Sequence, residues 1–170
     1  MTATSVFTQG AATADADHNS ETETYQTSRF GPVDVIVDSI IEFPDGLIGL
    51  GGSRYALLST DAKSPFLWLQ SLDNEAVALP VTNPHRFFKD FVVELTDSDA
   101  GNRGFDDGAP ADVYVTVTAS SVISDITVNL KAPILIRDGK GHQLLNQHEG
   151  AAVKTPLFPV TPPGATSGAA

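Results

Sequence analysis

An all-β fold, an antiparallel barrel-like or sandwich domain of about nine short strands, is what this sequence predicts. Three observations carry that expectation. The stretch 65–91 holds Trp68, the only Trp, with four of the nine Phe and three of the eleven Pro. Within it, apolar runs at 66–72 and 76–81 flank the polar turn Asp73-Asn74-Glu75. That pattern reads as a β-hairpin whose second strand ends at Pro80 and Asn83-Pro84. A hairpin this aromatic needs burial and marks the core. Second, apolar and polar residues alternate with a period of two. Val33, Val35 and Val37 interleave with Asp34, Ile36 and Asp38, and Val113, Val115 and Val117 with Tyr114, Thr116 and Thr118. That is strand periodicity. Third, turn residues punctuate the chain at short intervals, and only one place offers a good helix start.

The elements follow in order. Residues 1–28, rich in Ala, Thr, Asp, Glu and Ser, hold only Val6, Phe7 and Tyr25 as sizeable apolar groups. They bury too little surface to offset their ordering entropy and are expected to be a disordered acidic tail. The strand through Val33–Val37 runs on through Ile40, Ile41 and Phe43 to a turn at Pro44-Asp45-Gly46. Strands are then expected at 55–59, 66–72 and 76–81. Asn83 is placed as a helix N-cap with Pro84 at the first helical position, giving a turn or two of helix through Phe87, Phe88 and Phe91. Phe87 and Phe91 share its core face, and Phe88 points elsewhere. A strand is expected at 91–95. Residues 97–110, with three Gly and four Asp, read as a long surface loop. Strands over 113–118, around Ile123, Ile126 and Val128, over 133–137 and over 144–147 complete the set. Residues 161–170 form a second tail, so the domain spans 29–160. No internal repeat is present.

Composition narrows the function classes. The 21 acidic and 10 basic side chains give a net charge of −11, and residues 29–170 carry 17 acids against 10 bases. Such a surface repels phosphate, so neither nucleic acid nor an anionic membrane is expected as a direct partner. The absence of cysteine removes disulfides, thiolate nucleophiles and sulfur-ligated zinc. No run approaches the roughly 18 apolar residues of a membrane span. The N-terminus lacks the basic flank and apolar stretch of a secretory signal, and the chain is expected in the cytoplasm.

Several patterns resemble sites without completing one. Gly46-Leu47-Ile48-Gly49-Leu50-Gly51-Gly52 is glycine-rich, but no Lys-Ser/Thr pair follows and no βαβ unit surrounds it. It reads as a turn with an apolar tip that becomes a protein contact if exposed. The Asp-rich run from Asp97 lacks the Gly and Glu of a calcium loop, with Asn102 and Gly108 in their places. His18, His85, His142 and His148 form no metal-binding spacing, and Ser120 and Ser121 sit in no nucleophile elbow. Asp73 and Glu75 serve turn geometry. No catalytic residue, metal or cofactor is expected.

Together, several segments resemble the FliW family of flagellar assembly factors. They are Phe43-x-x-Gly46-Leu47-x-Gly49, Tyr55-x-Leu57-Leu58, the block 65–72, Ala78-Leu79-Pro80-Val81, Asn83-Pro84 and Val128-Asn129-Leu130-Lys131-Ala132-Pro133-Ile134. Gln143-Leu144-Leu145 and Thr155-Pro156-Leu157 fit as well. The pieces keep the family's order over 36–158; the 65–72 block and the Asn-Leu-x-Ala-Pro block are the specific ones. The family usually has Pro where Ile48 stands and Phe-Glu where Leu50-Gly51 stands. The 97–110 loop and both tails are additions.

The resemblance implies a small β-barrel-like protein without catalysis. It would bind newly made flagellin in the cytoplasm as a chaperone-like partner. When freed, it would bind the translational regulator CsrA, relieving repression of flagellin mRNA. Leu47, Ile48, Phe88, Asn129 and Leu130 are the expected partner contacts, and strand addition at an open barrel edge is a second mode. Asn83 and Asn129 are expected to cap backbone groups, with Phe66, Leu69, Leu79 and Ile134 in the core. A monomer is expected. Two other readings compete. One is a small β-barrel hydrolase with His142 or His148 near a carboxylate in a concave site. The other is a structural subunit that oligomerises through open sheet edges.

Overall fold

The computed structural model describes residues 20–159 and, as backbone alone, the strand β1, Phe7–Thr8. The expected tail 161–170 and the remainder of residues 1–19 lie outside the described residues.

Seven strands close a barrel. They are β4 (Ile41–Glu42), β5 (Arg54–Ser59), β6 (Phe66–Ser71), β7 (Ala78–Thr82), β8 (Asp112–Thr118), β10 (Ile134–Arg137) and β11 (Lys140–Gln143). Neighbours from β4 to β8 run antiparallel, and β10 closes back on β8 through the register Ile134↔Tyr114. The seam is thin: β11 meets β4 in parallel at one pair, Lys140↔Glu42. β9 (Thr127–Val128) and β12 (Thr155–Pro156) extend the sheet beyond β8, and β1 lies on β5. β2 (Thr22–Thr27) and β3 (Gly31–Ile36) form a separate two-stranded sheet.

Burial follows the pleat. On β5, Tyr55 and Leu57 point into the barrel core while Ala56 and Leu58 pack under the β2–β3 sheet with Val33 and Val35. On β6, Leu67 and Leu69 face the core, and Trp68 turns outward beneath Phe30 and the Arg29 guanidinium, 4.2 Å from its ring. On β8, Val115 and Val117 enter a third cluster with Val128, Leu130 and Leu157. Strands buried on both faces need apolar residues at every position, which is why β5 reads Tyr-Ala-Leu-Leu rather than alternating.

The hairpin 66–82 forms as expected, its turn held by Ser71 Oγ, which accepts from the Asp73 and Asn74 amides. Asn83 caps a 3-10 turn, Pro84–Arg86, by accepting from the His85 amide at 2.9 Å. Leu69 and Ile134 are fully buried, while Phe66 and Leu79 are half-buried at the cluster edges.

Four expectations are corrected. Residues 22–27 are not tail: they form β2, paired along its whole length with β3. Its polar side chains are tied by Thr24–Asp34 and Tyr25–Glu23 hydrogen bonds, both 2.6 Å, so backbone pairing rather than apolar burial orders it. The 97–110 segment begins with a helix, α1 (Asp97–Arg103), capped by the Thr96 hydroxyl on the Asp99 amide and stopped by Gly104 in the left-handed region at φ 72°. The strand expected over 144–147 sits instead at Lys140–Gln143, because Asp138 (φ 52°) and Gly139 (φ 74°) make a tight turn after β10. Residues 91–95 form no strand and join none of the described sheets.

Candidate functional site

Phe43, fully buried against Tyr55 at a ring distance of 5.2 Å, anchors the start of the glycine turn. The chain then reverses through Gly46 (φ 68°) and Gly49 (φ 78°), a conformation side chains disfavour. This turn divides its apolar residues. Leu47 is buried at 4% exposure inside the barrel mouth, while Ile48 is 59% exposed at the tip. Leu47 therefore serves the core and is not the exposed contact expected of it.

Hydrogen bonds tie the tip to two distant segments. The Ile48 amide donates to Gln143 Oε1 at 2.8 Å, and Gln143 Nε2 donates to the Ala132 carbonyl at 3.1 Å. Asn129 Oδ1 in turn accepts from the Lys131 and Ala132 amides at 3.0 and 3.2 Å. Asn129 is thus a backbone cap, as expected. A depression of about 300 Å³ opens between the Ile48 turn, Leu79, the β8 residues Thr116 to Thr118, and Asn129 with Gln143. Three of the five expected contacts, Leu47, Ile48 and Asn129, meet here.

Phe88 and Leu130 belong to a second depression, about 240 Å³, with Phe91, Val92, His148 and Ala151. Leu130 is 5% exposed and packs with Val115 and Val128, so it too is core rather than contact. Successive residues on an extended chain face opposite ways, which separates Asn129 from Leu130. Phe88 is half-buried against the same cluster. Asn146, unnoticed in the sequence, pins this region. Fully buried, it donates Nδ2 to the Val92 and Leu130 carbonyls and accepts at Oδ1 from the Glu94 and His148 amides. Only its neighbourhood to apolar Leu144 and Leu145 hinted at burial.

Two ionic clamps brace the same end of the barrel. Asp73 accepts from the Ser53 and Arg54 amides at 2.8 and 2.9 Å and pairs with the Arg54 guanidinium at 3.0 Å. The Ser53 amide above all, then the Arg54 contacts, hold its carboxyl below the usual carboxylate range. Asp45, beside the glycine turn, pairs with Arg103 of α1 at 2.9 Å, and His142 Nδ1 lies 3.4 Å from it without completing a hydrogen bond. The adjoining hollow is lined by Arg103, Phe105, Arg137, Asp138, Lys140 and His142. The imidazole–carboxylate pair of the hydrolase reading therefore exists, but no hydroxyl or thiol lines its hollow and Asp45 is committed to Arg103. Its evident job is to fasten α1 to the turn.

Burial pushes the His142 imidazole below its ordinary range, with Asp45 opposing and Arg103 and Lys140 reinforcing the shift. The unfolded chain takes up a proton at this residue below about pH 6.5, while the folded chain stays neutral to lower pH. The unfolded state then binds more protons, so stability declines as pH falls from that point. We expect denaturant midpoints to drop between pH 7 and 5, and His142→Gln to flatten the drop. An unchanged slope in the variant contradicts the assignment.

Among the described residues, no helix is long and apolar enough to cross a membrane. The family model described as FliW protein matches residues 24–157. The flagellar assembly factor FliW of Alkaliphilus metalliredigens is 33% identical over 128 residues, covering 73% of this chain and 79% of that protein. That of Natranaerobius thermophilus is 34% identical over 133 residues, covering 76% and 88%. That of Geobacter sulfurreducens is 32% identical over 134 residues, covering 78% and 84%. A crystal structure of the flagellar assembly factor FliW superposes with a TM-score of 0.71 at 26% identity, covering 81% of this chain and 98% of that one.

Proposed function

This chain belongs to the FliW family of flagellar assembly factors, and we propose that it works by binding flagellin in the cytoplasm as a chaperone-like partner. Once flagellin leaves, the free protein binds and antagonises CsrA. It does so as a monomer, with no cofactor, catalysis or direct nucleic-acid contact. The observation that carries this reading is the convergence at one depression of the glycine turn, the Leu79 strand, the Asn129–Ala132 block and Gln143, four segments distant in sequence. Gln143 is spent on the Ile48 amide and the Ala132 carbonyl, and Asn129 Oδ1 on the amides of its own block, which leaves Ile48 as an apolar anchor on a braced turn. Exposed apolar groups on such turns tend to carry binding energy. The surplus of acids over residues 29–170 suits a basic, RNA-binding partner such as CsrA.

Flagellin and CsrA compete for one form of the protein, so each weakens the apparent affinity of the other. We expect the purified chain to bind purified flagellin with 1:1 stoichiometry in calorimetry. Ile48→Asp should weaken that binding by about tenfold or more, corresponding to at least ~1.4 kcal/mol. Because Ile48 is exposed, its melting temperature should match wild type. Wild-type affinity in this variant contradicts the placement of the contact, and no binding by either form contradicts the function.

A further inference from the structure

We propose that the outer backbone edge of β5 at Leu58–Ser59 accepts an extended segment of flagellin, and that β1 is the chain's own strand seated there in its place. The inference rests on the flagellin-binding reading above.

β5 is covered on both faces. After Arg54 every residue is buried, with Tyr55 and Leu57 inward and Ala56 and Leu58 beneath the β2–β3 sheet. Its side chains are unavailable, so backbone is what it can offer a partner. One backbone edge is taken by β6 over Tyr55–Leu58. On the other, β4 pairs with Arg54 and Tyr55 and goes no further. Beyond that point the strand found there among the described residues is β1, through Phe7↔Ser59 and Thr8↔Leu58. Buried amides and carbonyls require partners, and an uncovered edge recruits a strand.

Three features mark β1 as exchangeable. Its ladder is two pairs long, against six for β2 with β3. It lies outside the family match, which begins at residue 24, so the barrel does not depend on it. Residues 1–14 carry no ionisable side chain, whereas natural edges are usually blunted by charge. A strand tied to its own seat competes at an effective concentration of order millimolar. It therefore weakens an incoming strand without excluding it. Strand addition of this kind draws affinity from main-chain hydrogen bonds.

The test compares the full chain with one lacking residues 1–12, which removes no charged side chain and leaves the net charge at −11. A full-length Phe7→Pro/Thr8→Pro variant, stripped of both amide donors, controls for length. Amide exchange at Ser59, whose backbone faces β1, should quicken in both variants, while that at Leu58, whose amide faces β6, should not. Flagellin should bind both about three- to tenfold more tightly than wild type. A fluorescent peptide of residues 1–12 should bind the shortened chain about three- to tenfold more tightly than the full one. Unchanged exchange, equal flagellin affinity, or a peptide that fails to bind the shortened chain overturns the inference. Flagellin that binds neither form removes the functional reading, and the peptide result then upholds or overturns the strand-accepting edge by itself.

Discussion

Gly141→Ala should be among the most destabilising single changes in this protein, lowering stability by about 3 kcal/mol. An added Cβ there would overlap the Phe43 ring at Cε1 and Cζ. The ring cannot step aside: Phe43 is fully buried, packed edge-on against Tyr55, which is itself fully buried and donates its hydroxyl to the Gly51 carbonyl at 2.9 Å. The glycine is needed here for close approach and not for its backbone angle. A loss of that size corresponds to a fall in melting temperature of roughly 6–12 °C for a domain this long. Adding Phe43→Leu should restore part of the loss by making room. A Gly141→Ala variant that melts like wild type, or a double variant no better than the single, contradicts the contact.

Asn146→Ala is the second large effect, about 3 kcal/mol, and its mechanism is polar. Truncation leaves two carbonyls, of Val92 and Leu130, and two amides, of Glu94 and His148, without their side-chain partner. Those groups lie on three separate segments, so the loss also loosens the depression that holds Phe88. Asn146→Asp keeps both acceptor bonds but sets a carboxylate oxygen against two carbonyl oxygens. It should be at least as harmful at pH 7 and should recover as acid protonates it. Denaturant unfolding of both variants at pH 7 and pH 4.5 measures this. Little loss in Asn146→Ala, or no pH response in Asn146→Asp beyond that of wild type, contradicts the assignment.

Elements whose burial alternates or saturates were legible in the sequence. Val113 to Thr118 and the hairpin around Asp73 announced themselves because apolar side chains repeated with the period of a strand. Asn83-Pro84 was legible because capping is local chemistry. β2 was not, since Thr22 to Thr27 are mostly polar and the strand exists through its ladder to β3 and the Tyr25–Glu23 bond. α1 hid inside an Asp- and Gly-rich run of poor helix formers. Its signals, Thr96 with Asp99 and then Gly104, sat at the ends. The place of β11 is set by Asp138-Gly139, a turn pair whose positive φ values reverse the chain directly after β10, ahead of the apolar Leu144-Leu145 pair.

The candidate site was legible as a set of segments but not as a surface. Ile48 and Leu47 are neighbours of similar apolarity, and only the positive-φ glycines around them decide which one faces solvent. Likewise, nothing local distinguishes Leu130, which fills the third cluster, from an exposed leucine. Asn146 and Gly141 act through contacts with residues far away in sequence, which no periodicity encodes.

The most direct measurement is a residue-resolved map of backbone amide exchange on this protein, free and saturated with flagellin. If a rigid outer surface does the work, slowed exchange should centre on the Ile48 turn, Thr116 to Thr118 and the Asn129–Ala132 block. The hollow beside His142 should exchange as it does in the free protein. A stoichiometric complex that leaves the Ile48 turn and Asn129 block unprotected, with the change concentrated around His142 and Lys140, would contradict it.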